Sequence, residues 1–157
     1  MAVRRFLTDA NGSECMQLVD TFFDLLYFTS VNREFDFGQF DITSLQSRYA
    51  EMVQGAETLA RENGIDETSW RKGFFPVAVW IDECILLSHF SDRQKWHTTS
   101  LQRTYYHTAH GGAEFYSCLE ALNENEYEIR QLFLLCLDLG FRGSYYREED
   151  TLLREEI

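Results

Sequence analysis

From Cys15 the apolar residues fall at positions 15, 18, 19, 22, 25 and 26, the repeat of a helix with one buried stripe, which Phe23 and Phe28 widen. Ser13, after Asn11-Gly12, reads as the N-cap of that helix. A second periodic segment opens at Asp41, carries Ile42, Leu45, Tyr49, Met52, Val53, Ala56, Leu59 and Ala60, and stops at Asn63-Gly64. Between the two, Val31 to Phe40 sets Phe35, Phe37 and Phe40 among acids. A lone strand there has nothing to pair with, so the stretch reads as a loop anchored by aromatics.

A third helix begins near Thr68 and runs through Trp70, Phe74, Phe75, Val77, Trp80, Ile81, Ile85 and Leu86. Pro76 clashes with the carbonyl of Lys72 in an unbroken helix, so this element either kinks there or starts near Gly73. After a polar loop from Ser88 to Lys95, Trp96 leads into a short helical stretch with Leu101, Tyr105 and Tyr106, which Gly111-Gly112 breaks. Helices near 113–122 and 126–138 follow, then Leu139-Gly140-Phe141-Arg142-Gly143 and a charged segment over 148–157. The pattern predicts an all-α fold of about seven helices joined by short loops, forming a single domain over residues 1–157.

Composition agrees with a packed core: 157 residues, 45% hydrophobic and 15% aromatic, with one proline, exclude a disordered or collagen-like chain. A net charge of −12 repels phosphate backbones and anionic lipid, which argues against nucleic acid as a partner. The cysteines at 15, 84, 118 and 136 form no C-x-x-C pair. Each lies in an apolar run, where a free thiol packs as a small buried hydrophobe in a reducing compartment. Met1-Ala2-Val3-Arg4-Arg5-Phe6-Leu7 lacks the apolar region of a secretory signal, and no stretch reaches the roughly 18 apolar residues of a membrane span.

Chemistry is sparse. Val77 to Leu87 is apolar on every side of a helix except at Asp82 and Glu83, and a buried carboxylate must be paired, hydrogen-bonded or open to a cleft. Neighbouring helical residues point roughly 100° apart, so the two acids form neither one bidentate grip nor a facing catalytic pair. Two readings remain: one acid salt-bridges a core arginine such as Arg142 or Arg103, or at least one faces a groove where a partner docks. Of four histidines only His107-x-x-His110 is close-spaced, with Glu114 nearby, and this trio is the candidate metal or ligand site of a small helical enzyme. No Glu-x-x-His motif, nucleophile elbow or phosphate loop is present, and Gly111-Gly112 and Gly140-x-x-Gly143 read as helix stops.

The order of these features resembles the DotU/TssL family of bacterial type IV and type VI secretion systems. Val79-Trp80-Ile81-Asp82-Glu83-Cys84-Ile85-Leu86 matches its aliphatic-Asp-Glu helix. Trp96 with Leu101, then Gly111-Gly112-Ala113-Glu114-Phe115-Tyr116, then Leu135-Cys136-Leu137-Asp138-Leu139-Gly140-Phe141-Arg142-Gly143-Ser144-Tyr145 follow in order. The similarity covers residues 16–147, with the acid of the glycine turn displaced by one place to Glu114. The resemblance implies two packed helical sub-bundles and, beyond Ile157, a C-terminal anchor in the inner membrane. It implies no enzyme activity and no cofactor, but a membrane complex with an IcmF/TssM-type partner, recruitment of baseplate proteins, and room for a weak homodimer. Type VI is the expected context. Asp82 and Glu83 would line the groove between sub-bundles, Arg142 would be structural or sit beside that groove, and Trp96, Gly111, Gly112, Phe115, Gly140, Phe141 and Gly143 would form the family's structural motif.

Overall fold

A computed structural model describes residues 7–8 and 14–143. A two-residue antiparallel bridge, β1 (Leu7–Thr8) with β2 (Glu14–Cys15), precedes α1 (Leu18–Thr21), α2 (Phe23–Arg33), α3 (Ile42–Glu62) and α4 (Glu67–Leu87). α5 (Arg93–Thr98), α6 (Leu101–Tyr106), α7 (Gly111–Glu120) and α8 (Tyr127–Asp138) complete the described chain. The fold is all-α, with eight helical segments among the described residues where about seven were expected.

The long helices start where their caps dictate. Asp41 accepts from Ser44 N at 2.7 Å to open α3, and Asp66 accepts from Ser69 N at 3.0 Å to open α4. Gly64, at φ +72°, ends α3. Helix α4 continues through Pro76 rather than starting near Gly73. It is the axis of the bundle, since residues 73–82 are all buried and it packs against every other helix. Around it α1, α2, α3 and α5 pack among themselves and α7 packs on α8, while α1 packs on both α3 and α8. Gly73 permits the close crossing, because a Cβ there would stand 2.8 Å from both Leu18 Cδ2 and Leu132 Cδ1.

Several local readings are corrected. The first helix starts at Leu18 and breaks at Phe22, and Cys15 sits in the β-bridge instead; Ser13 lies outside the described residues. The aromatic loop begins only after Arg33. Its anchor is Phe37, fully buried at φ +54°, whereas Phe35 is 70% exposed. The Gly111-Gly112 pair opens α7 instead of ending α6, and the break falls at His107, which adopts φ 53°. Of the cysteines only Cys136 is buried; Cys84 is half-buried, and Cys15 and Cys118 are exposed. The charged 148–157 segment lies outside the described residues.

Candidate docking cleft

Asp82 is fully buried on α4. Its Oδ1 accepts from Trp96 Nε1 at 3.0 Å and from Leu101 N at 2.9 Å, and its Oδ2 accepts from Gln102 N at 2.9 Å. Leu101 and Gln102 open α6, whose own N-cap residue Ser100 supplies no side-chain bond. A carboxylate from α4 therefore takes up N–H groups that the α6 terminus leaves free and lies at the positive end of that helix. Burial pushes the carboxyl up to about 6, against the opposing pull of the N–H donors.

Gln102 extends the chain of contacts. Its Oε1 accepts from Gly111 N at 2.9 Å, the first residue of α7. A Cβ there would lie 2.6 Å from Gln102 Oε1 and 2.8 Å from Val79 Cγ2, so a larger residue would have to push both side chains aside. Asp82 thus fixes α6, and α6 fixes α7.

Glu83, one position on, points elsewhere. It is half-buried; Oε1 accepts from Gly143 N at 2.9 Å and Oε2 from Arg142 N at 3.2 Å. Burial again raises its pKa, with the two N–H groups and the Arg142 charge pulling the other way. Gly143 takes φ +58°, and a Cβ there would sit 2.7 Å from Gly112 O, so the 140–143 turn lies directly on the start of α7. Phe141 is buried with its ring centroid 4.2 Å from that of Phe115, and Tyr116 Oη donates to Arg142 O at 2.6 Å.

Val79, Glu83, Leu86, Arg103, His110 and Gly143 line a cleft of about 200 Å³ between α4, α6, α7 and this turn. A second hollow of about 360 Å³ lies across Glu83, walled by Arg33, Trp80 and Gly140. Leu87 borders both and is 53% exposed. Arg33 reaches under the turn, donating Nη1 to Leu139 O at 2.9 Å.

The residues expected to act together do converge here, with one correction. Asp82 does not line the cleft; it is sealed behind α6, its oxygens taken by N–H donors rather than by a core guanidinium. Glu83 meets Arg142 and Gly143 at the cleft edge, with Gly112 and Phe141 in the wall. Trp96, 1% exposed, is core that orients Asp82. Gln102 and Leu87 went unrecognised in the sequence, where Arg103 figured only as a possible ion-pair partner of the acids; of the first two only Leu87, at the exposed end of a greasy helix, carried a local signal.

His107, His110 and Glu114 line one open hollow beside Arg103 but do not assemble as metal ligands. Glu114 accepts from Thr108 Oγ1 at 2.7 Å, Thr108 Oγ1 also accepts from His110 N at 3.1 Å, and His107 ends α6 in an exposed position. Among the described residues no group of His, Cys, Asp or Glu has the arrangement to hold a metal ion. Cys84 is pushed up to about 11 by burial, which keeps it a thiol.

Fold and site together define an all-helical domain in which the motif acids hold helix ends and turns around a surface cleft. The family model described as "Type VI secretion system protein DotU" matches residues 17–156, and the chain belongs to this family of structural type VI secretion components. The chain is similar in structure to the cytoplasmic domain of TssL from Acinetobacter baumannii, with TM-score 0.73 over 90% of this chain and 92% of that one. Sequence identity between the two is 20%, so this likeness speaks to fold alone. Comparison with the curated proteins returned no match. No described helix is long and apolar enough to cross a membrane.

Proposed function

We propose that this chain is a non-enzymatic adaptor of the type VI secretion membrane complex. It acts as one domain at the cytoplasmic face of the inner membrane, binding an IcmF/TssM-type protein and recruiting baseplate proteins through the cleft beside Glu83. The observation that carries this reading is the position of Glu83: a half-buried carboxylate holds the 140–143 turn against α7 at the edge of a cleft rimmed by exposed Leu87 and Arg103. Rigid concave walls with an apolar anchor and a charge at the rim are what a protein partner uses for affinity and selection.

The test is titration of the separate baseplate and IcmF/TssM-type proteins into wild type, Leu87→Asp and Arg103→Glu by calorimetry. Both side chains are exposed, so melting should be unaltered while affinity for a cleft partner falls on the order of tenfold. Unaltered affinity for both partners in both variants would contradict the proposal.

A further inference from the structure

Three of the large exposed hydrophobics, Tyr27 at 60%, Val31 at 40% and Phe35 at 70%, belong to one stripe on α2 and the turn that follows it. With half-buried Phe23, whose ring stacks on Tyr27 at 5.8 Å, Tyr27 and Val31 share one face of α2, and Phe35 continues the four-residue spacing into the turn beyond it. The core packing of α2 uses the opposite face, where Leu25 and Thr29 are buried. An aromatic row that the fold leaves in water marks an interaction site rather than scattered exposure.

Among the described residues the charges along this face of α2 share one sign. Exposed Asp24 and Glu34 interleave with the apolar row. Two cations that touch α2 are turned away from it: Arg33 donates to Leu139 O and lies 5.8 Å from the Trp80 ring, and Arg48 sits over Phe28 at 5.6 Å on the α3 side. We propose that this outward face of α2 is a second docking surface, separate from the cleft, for a basic amphipathic helix of a partner protein. Aromatic anchors would take its apolar side, and Asp24 and Glu34 its lysines or arginines. A second copy of the chain would bring the same acids against themselves across a two-fold interface, and anionic lipid would meet like charge over a chain of net charge −12.

The probe is a synthetic amidated leucine–lysine amphipathic helix, titrated by fluorescence anisotropy against wild type, Tyr27→Ser plus Phe35→Ser, Asp24→Lys plus Glu34→Lys, and two controls. The controls are Arg103→Glu in the cleft and Tyr127→Ser plus Leu134→Ser on α8, the latter pair being 68% and 49% exposed in wild type. Loss on the order of tenfold in the first double variant, weaker and less salt-dependent binding in the charge variant, and retained binding in both controls support the proposal. Should the aromatic variant fail to fold, the charge variant carries the test. Equal binding by all variants, or a preference for a leucine–glutamate helix, overturns it. So does self-association that needs Tyr27 and Phe35, or stripe-dependent binding to phosphatidylglycerol vesicles while the peptide ignores the stripe. Because Arg103 is outside this face, failure here leaves the cleft reading standing, and the reverse.

Discussion

The indole N–H of Trp96 donates to Oδ1 of Asp82 at 3.0 Å, with the two side chains 1% and 0% exposed. The same carboxylate holds Leu101 N and Gln102 N, so one acid ties α4 to α5 and to the α6 terminus. Replacing Asp82 with alanine strands three donors, two of them in the interior. Each buried unsatisfied group costs about 1–3 kcal/mol, and a total loss of about 3–5 kcal/mol is expected in urea denaturation. A loss below about 1 kcal/mol would show that α6 does not depend on this acid.

The same acid gives stability a pH dependence with a definite sign. Its folded pKa stands at about 6, above the ordinary 3.8, so the folded state holds the proton more tightly than the unfolded chain. The contribution of Asp82 is therefore most favourable at acid pH, and it diminishes as pH rises from about 4 through about 6. Asp82→Asn has no such titration. The stability of wild type relative to this variant should fall across that window and level off above it. A difference that stays flat or rises with pH would mean that the N–H donors outweigh burial.

Glycine positions separate into two kinds. Gly143→Ala forces a left-handed φ of +58° on a residue with a Cβ and drives that carbon to 2.7 Å from a backbone oxygen, so a loss of about 1–3 kcal/mol is expected. Gly55 lies inside α3, where an added Cβ would meet nothing within 4 Å, and Gly55→Ala should stabilise by about 0.5–1 kcal/mol. Thermal melts of the two variants should move in opposite directions, and a common direction would contradict this reading of the turn.

What the sequence could convey differed from place to place for physical reasons. The boundaries of α3 were legible because Asp41 and Gly64 act on backbone groups a few residues away. The conflict of two acids in an apolar helix drew attention to Asp82 and Glu83, but not to which of them faces inward. Asp82 faces inward only because Leu101 and Gln102, 19 and 20 residues later, present their N–H groups to it. Gly111 was misread because the same letter serves a helix stop and a tight approach; here the side chains of Val79 and Gln102 crowd the place a Cβ would take. The outward row of α2 was hidden for a related reason: Phe23 reads as core until the opposite face is seen to carry the packing.

Glu83→Gln separates the turn from the core. The amide retains one acceptor but turns its NH₂ toward an N–H donor, so the 140–143 turn should loosen while Asp82 and α6 stay in place. Amide exchange at Arg142 and Gly143 should quicken with no change at Leu101 and Gln102. Equal quickening at both pairs would mean that the two acids act as one unit.

The cleft itself is tested most directly by hydrogen exchange on the wild-type protein with and without a bound baseplate partner. Binding at this site should slow exchange in 83–87, 101–112 and 140–143 while leaving 48–60 of α3 unaltered. Protection confined to other segments, with those three unaffected, would contradict the assignment of the Glu83 cleft as the docking surface.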